Sequence, residues 1–187
     1  MSRWFLMFFF YSLAGCGLEK LYAHAIRSPR RQRKCFLLLP LCPVYGLAMV
    51  CVLALAPAEG GLVPLAVLGG AVCTGVEYAV HLFYERALGV RFWDYSQLPG
   101  HIRGRICPRF AVIWGVLSAA AVRLVQPALE VLAALVPPWL TFLLWVVLAA
   151  DSVFTWALLA RRHDTNLLAL RAAFGQTRAS SQSSTSL

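Results

Sequence analysis

Charge is what this sequence has least of. Lys, Arg, Asp and Glu make up 13% of its 187 residues, and only eight of them are acidic. Soluble domains carry roughly a quarter charged residues, and here 60% of positions are apolar with a mean hydropathy of +0.69. A water-facing globule of this length is excluded. Other absences narrow the chemistry. No G-x-x-x-x-G-K-[ST] occurs, so the chain carries no phosphate-cradling loop for ATP. H-E-x-x-H, G-x-S-x-G and aspartate-rich runs are missing too, which removes the usual signatures of a zinc peptidase, a serine hydrolase or an enzyme of isoprenoid diphosphates. The six cysteines (Cys16, Cys35, Cys42, Cys51, Cys73, Cys107) never form C-x-x-C and read as small buried apolar residues rather than disulfides or metal ligands. No repeat at a fixed period supports a solenoid or an inverted-repeat transporter.

What is present in abundance is long apolar sequence. About 20 helical residues, each rising about 1.5 Å, cross a hydrocarbon core of roughly 30 Å. Five runs approach that length: Trp4 to Ala23, Cys35 to Ala56, Leu62 to Phe83, Ile106 to Val125 and Trp139 to Ala160. Backbone amides in lipid must be bonded within their own segment, which Gly/Ala-rich runs of this length do as helices. The expected fold class is all-α, a polytopic membrane bundle of about five transmembrane helices spanning residues 1–176. The Ser-rich stretch Thr177 to Leu187 is expected to be a disordered tail. Leu129 to Val136, in the connection from Pro127 to Pro138, is expected to lie at the interface or re-enter. Pairs of small residues four apart, Ala71 with Gly75 and Gly115 with Ala119, are candidates for close helix approach.

The net charge of +9 does not point to nucleic acid, because the basic residues alternate with the runs. Five lie between His24 and Lys34, five between Tyr84 and Arg109 and four after Ala160, whereas the connections 57–61 and 126–138 hold none. The positive-inside rule then puts the N-terminus outside and the C-terminus in the cytoplasm. Arg3 followed by an apolar run to Gly15 resembles a signal peptide, but the polybasic stretch Arg27 to Lys34 resists translocation, so the first helix is expected to be retained.

An ionisable side chain inside a span costs roughly 2.5–3.5 kcal/mol on insertion scales and requires a reason. Glu19, Glu77 and Asp151 are such residues. Glu19 and Glu77 each lie about 15 residues from the outer end of their runs, roughly 22 Å down, while Asp151 lies close to the midplane with Tyr45 near its level. Glu77, His81 and Glu85 recur at i, i+4 and i+8, so they stack on one helix face with Tyr84. Two carboxylates around an imidazole could relay a proton or hold a divalent cation, but a single histidine fixes no known ligand geometry. The plain alternative is an inward polar stripe ending in Glu85 paired to Arg86 or another neighbour. On the first helix Tyr11, Gly15 and Glu19 share a face. Pro40 and Pro43 each remove a backbone donor near the cytoplasmic end of the second run, which favours a polar pocket open to the cytoplasm. In the loop, Trp93, Asp94, Tyr95 and Ser96 followed by Pro99 read as a folded plug or re-entrant turn rather than a floppy linker, with Asp94 capping a short helix through Ser96 and Gln97 and pairing with a nearby arginine.

Tyr11-Ser12 with Gly15 and Glu19, Leu39-Pro40-Leu41-Cys42-Pro43-Val44-Tyr45-Gly46, Glu77-Tyr78, Trp93-Asp94-Tyr95-Ser96, and Gly104-Arg105-Ile106-Cys107 with Trp114-Gly115 together resemble the Putative ABC-transporter type IV (CmpB-like) membrane proteins, and distantly the transmembrane protein 229 group. Gly100-His101 and Pro108 depart from that pattern. The resemblance implies a helical membrane protein and transport, without supplying a substrate, a catalytic residue or a cofactor; none is expected, and no metal. Three functions stay open: a transporter or permease-like subunit whose acids bind a cation or proton, a non-catalytic assembly or regulatory membrane protein, and an intramembrane enzyme acting on an inner-leaflet lipid. Lacking an ATP site, an ATP-driven transporter would need a separate ATPase subunit. Membrane lipids and a second copy of the chain are the other expected partners.

Overall fold

The protein's computed structural model describes residues 2–25, 36–57 and 60–162, with the Ala23 and Arg162 side chains excepted. Cys35, the polybasic stretch, Glu59 and the Ser-rich tail lie outside the described residues. The chain forms α1 (Ser2–Ala25), α2 (Pro43–Leu55), α3 (Leu62–Leu88), α4 (Pro108–Ala120), a π turn (Ala121–Val125), α5 (Gln126–Leu135) and α6 (Pro138–Arg162). Five rods result, since α4, the π turn and α5 run on as one.

Three of these rods are long and apolar enough to cross a membrane on length and composition alone: α3, the rod Pro108–Leu135, and α6. The first rod, α1, has 24 residues, but Arg3 near one end and Glu19 and Lys20 near the other dilute its apolar window. The second is corrected downward. The run read from Cys35 to Ala56 is helical only over the 13 residues of α2. Pro40 and Pro43 drive the residues before them out of the α region, and residues 36–42 are irregular. Pro43 then opens α2, where its missing N–H costs nothing.

The fourth rod is corrected upward. Pro127 suggested an end at Val125, with an interfacial stretch after it. Instead the helix widens into a π turn just before Pro127 and continues to Leu135. A π turn shifts the hydrogen-bond register locally and so absorbs a ring that would otherwise clash with the preceding turn. The rod stops at Val136, which is extended before Pro137 and Pro138.

α3 packs mainly on α4, α1 on α2 and α2 on α3, while α6 lies at the edge with its main contacts to α1 and α3. Two crossings depend on glycine. A Cβ at Gly115 would lie 2.5 Å from the Ala66 carbonyl oxygen, and one at Gly15 would lie 2.3 Å from the Tyr45 ring. The expected role of Gly75 is overturned, because a Cβ there would meet nothing within 4 Å. α3 instead uses Gly69 against Ser118 and Gly70 against Ala111 and Gly115. Cys16, Cys42, Cys73 and Cys107 are buried and Cys51 is half-buried, in keeping with packing.

Candidate functional site

Between α1, α2, α3 and α4 lies a cavity of about 320 Å³, walled by Glu19 on α1, Tyr45 on α2, Glu77 on α3 and Trp114 on α4. Trp93 and Tyr95 close it from the 89–107 loop. Its remaining lining is mostly apolar, including Met49, Leu117 and Leu124, and no Lys, Arg or His side chain is among the described residues that line it.

Each carboxylate is held by aromatic donors. Tyr45 Oη donates to Glu19 Oε1 at 2.6 Å. Tyr95 Oη donates to Glu77 Oε1 at 2.7 Å, and Trp114 Nε1 donates to Glu77 Oε2 at 3.0 Å. The Tyr45 and Trp114 rings meet at 5.3 Å with their planes at 85°, forming a corner of the wall. Glu77 is only 6% exposed, so these bonds satisfy a group that apolar surroundings would otherwise penalise heavily.

The loop that supplies Tyr95 is a folded plug. α3 ends at Gly89, left-handed with φ 64°, whose N–H returns to the Tyr84 carbonyl. The Tyr95 N–H bonds to the Gly104 carbonyl at 2.8 Å, and the Ile102 N–H to the Ile106 carbonyl at 2.9 Å. Trp93 Nε1 donates to the Arg105 carbonyl at 3.0 Å. The Asp94 side chain accepts from the Ser96 backbone N–H at 2.9 Å, an Asx turn rather than a helix cap. That N–H first, and then the Ser96 hydroxyl, holds the Asp94 carboxyl below its ordinary value of 3.8. Gly104 is left-handed with φ 71°, and a Cβ there would lie 2.5 Å from Asp94 Oδ1, so this position accepts only glycine.

The i, i+4, i+8 stripe on α3 divides among three surroundings. Glu77 enters the cavity. His81 is 3% exposed, packs edge-on against Trp93 at 5.0 Å and has no hydrogen-bond partner for Nδ1 among the described residues. Glu85 turns to the loop, where Arg105 reaches its Oε2 at 2.6 Å from Nη2 and 3.0 Å from Nε, and Arg91 reaches its Oε1. The neighbours that Glu85 pairs with are thus Arg91 and Arg105, and the Asp94 carboxylate takes the Ser96 backbone N–H. Arg105 also lies over the Tyr78 ring at 5.4 Å. Among the described residues, no group of three or more His, Cys, Asp or Glu gathers as a metal site.

Asp151 is not in the cavity lining. Its Oδ2 accepts from the Leu39 backbone N–H at 3.0 Å, a donor freed because residues 36–42 are not helical. The Cys42 N–H finds the Ser12 carbonyl at 2.9 Å for the same reason. Trp114 was not among the site residues expected from the sequence. An indole in a long apolar run looks like packing, and only the α3–α4 crossing aims its N–H at Glu77.

A family model described as Putative ABC-transporter type IV matches residues 6–156. The chain belongs to this family. Neither a curated protein nor a solved structure matches it. The matched span takes in every wall of the cavity and the whole plug, and with three membrane-crossing rods the chain is a membrane protein.

Proposed function

We propose that the protein is a transporter or permease-like subunit that admits a cation or proton to the cavity holding Glu19 and Glu77. One observation carries this reading: carboxylates from two different helices line the same 320 Å³ hollow, and no cationic side chain is among the described residues of its wall. Two acids at that depth cost several kcal/mol to insert, a cost that a positively charged solute offsets and a purely apolar core avoids. Family membership supports transport. An ATP-driven version requires a separate ATPase subunit, lipids surround the bundle, and self-association would cover the exposed flank of α6. The distribution of basic residues in the sequence supports an orientation with the plug at the cytoplasmic side and the N-terminus outside. In proteoliposomes, substrate-dependent cation or proton flux is expected, and Glu77→Gln is expected to abolish it. Unchanged flux in that variant rejects Glu77 as the coupling residue.

A second reading has its own support. Each carboxylate holds an aromatic donor, and Glu77 ties the plug to α3 through Tyr95. A non-catalytic assembly or regulatory protein would use such acids as internal fasteners. Under this reading Glu19→Gln and Glu77→Gln lower thermal stability in detergent, and the wild type carries no flux.

A further inference from the structure

Two features of the cavity bear on what would enter it. The first is size: about 320 Å³ equals roughly ten water molecules at about 30 Å³ each, far more than a bare ion fills. The second is the wall. Inorganic cations need several oxygen or nitrogen ligands replacing their water, and among the described residues no group of three or more His, Cys, Asp or Glu gathers to supply them. Instead the two carboxylates share the hollow with the rings of Tyr45, Trp93, Tyr95 and Trp114. Aromatic faces beside acidic groups, with little else polar, are the surroundings that bind organic ammonium ions: the rings attract the cation through their quadrupoles while their area covers an apolar body.

We infer that the cavity takes a small organic cation, an ammonium head on a compact apolar body, with Glu19 and Glu77 facing the charge and Tyr45 and Trp114 forming the corner it rests in. The inference deepens the transport reading and rests on it only for the claim that the bound cation moves. Binding itself stands or falls separately.

The test is calorimetric titration of the full chain in detergent with phenethylammonium and with phenethyl alcohol, which share a body and differ in charge. Saturable ammonium binding is expected, at least tenfold tighter than the alcohol, and Glu77→Gln and Glu19→Gln are each expected to weaken it about tenfold or more. Tyr45→Phe keeps the ring and is expected to retain the charge preference. Equal affinity for the two probes, or no ammonium binding by the wild type, overturns the inference without needing any variant to fold. Gln variants that elute and melt like wild type and bind the ammonium equally well overturn it too. The transport reading is scored apart. Glu77-dependent proton flux with no ammonium binding removes only the solute class, whereas charge-selective binding without flux of any cation upholds the inference and removes transport.

Discussion

Two parts of this molecule hold carboxylates on apolar helices, and they hold them differently. In the α1–α4 half, Glu19 and Glu77 come from separate helices to one hollow, each gripped by side-chain aromatic donors. At the α6 edge, Asp151 accepts a backbone N–H from the irregular segment before α2. The second acid has a local structural reason: Pro40 and Pro43 break the helix, and Asp151 satisfies an amide the break releases. At the first two, the hydroxyls of Tyr45 and Tyr95 and the Trp114 indole are donors. Burial of an acid in a span is therefore not itself a sign of a site; the kind of donor it meets separates the two cases.

The contrast can be broken most severely at the α3–α4 crossing that builds the cavity. Gly115→Val drives a side chain into the Ala66 carbonyl and is expected to cost at the upper end of about 1–3 kcal/mol, or to prevent folding, as read from thermal unfolding in detergent. Gly75→Ala is the matching control on the open face of α3, expected to be neutral or stabilising by up to about 1 kcal/mol.

Next in size is Glu77→Leu, which leaves the Tyr95 hydroxyl and the Trp114 N–H without their acceptor. A loss of about 3 kcal/mol is expected, with faster proteolysis of the 89–107 loop. Glu77→Gln keeps an acceptor oxygen and is expected to cost about 1 kcal/mol while still abolishing flux.

The same exchange at the α6 edge sharpens the difference. Asp151→Asn retains an oxygen for the Leu39 N–H and is expected to change stability by under about 1 kcal/mol, with flux intact, while Asp151→Leu costs about 1–2 kcal/mol. If Asp151→Asn abolished flux as Glu77→Gln does, the two regions would not differ in kind.

The smallest effect is at the plug. Asp94 has its carboxyl lowered in the folded loop, so its stabilisation is fully present above the ordinary value of 3.8 and fades as pH falls through the lowered one. Hydrogen exchange of the Ser96 amide is expected to stay unchanged from pH 7 to 5 once the intrinsic rate is removed, and to lose protection only in strong acid. Asp94→Asn, which can still accept in an Asx turn, is expected to remove that acid sensitivity.

Much of this was readable from residues alone, and the misses have physical causes. Apolar length located all five rods, and the WDYS segment with its Pro and Gly neighbours pointed to a folded plug, which the left-handed Gly89, Gly100 and Gly104 complete. Helix ends failed beside proline, where the second run was carried through Pro40 and Pro43 and the fourth was ended at Val125. Pro43 starts a helix, and Pro127 sits just past a π turn that lets the rod continue. Helical spacing placed Glu77, His81 and Glu85 on one face, but spacing cannot tell which neighbour each meets, and they divide among a cavity, a tryptophan edge and an arginine pair. Depth placed Glu19 and Glu77 at one level. That they share a hollow, and that Trp114 completes it, depends on which helices cross, which a single chain's periodicity does not encode.

Whether Glu19 and Glu77 act as a pair is tested most directly by a double-mutant cycle on cation binding. The two Gln variants and their combination would be titrated with the same ammonium probe. Acids facing one ligand predict strong non-additivity, a coupling of about 1 kcal/mol or more, with the double variant scarcely weaker than Glu77→Gln alone. Losses that simply multiply, as for distant independent positions, would contradict a shared site.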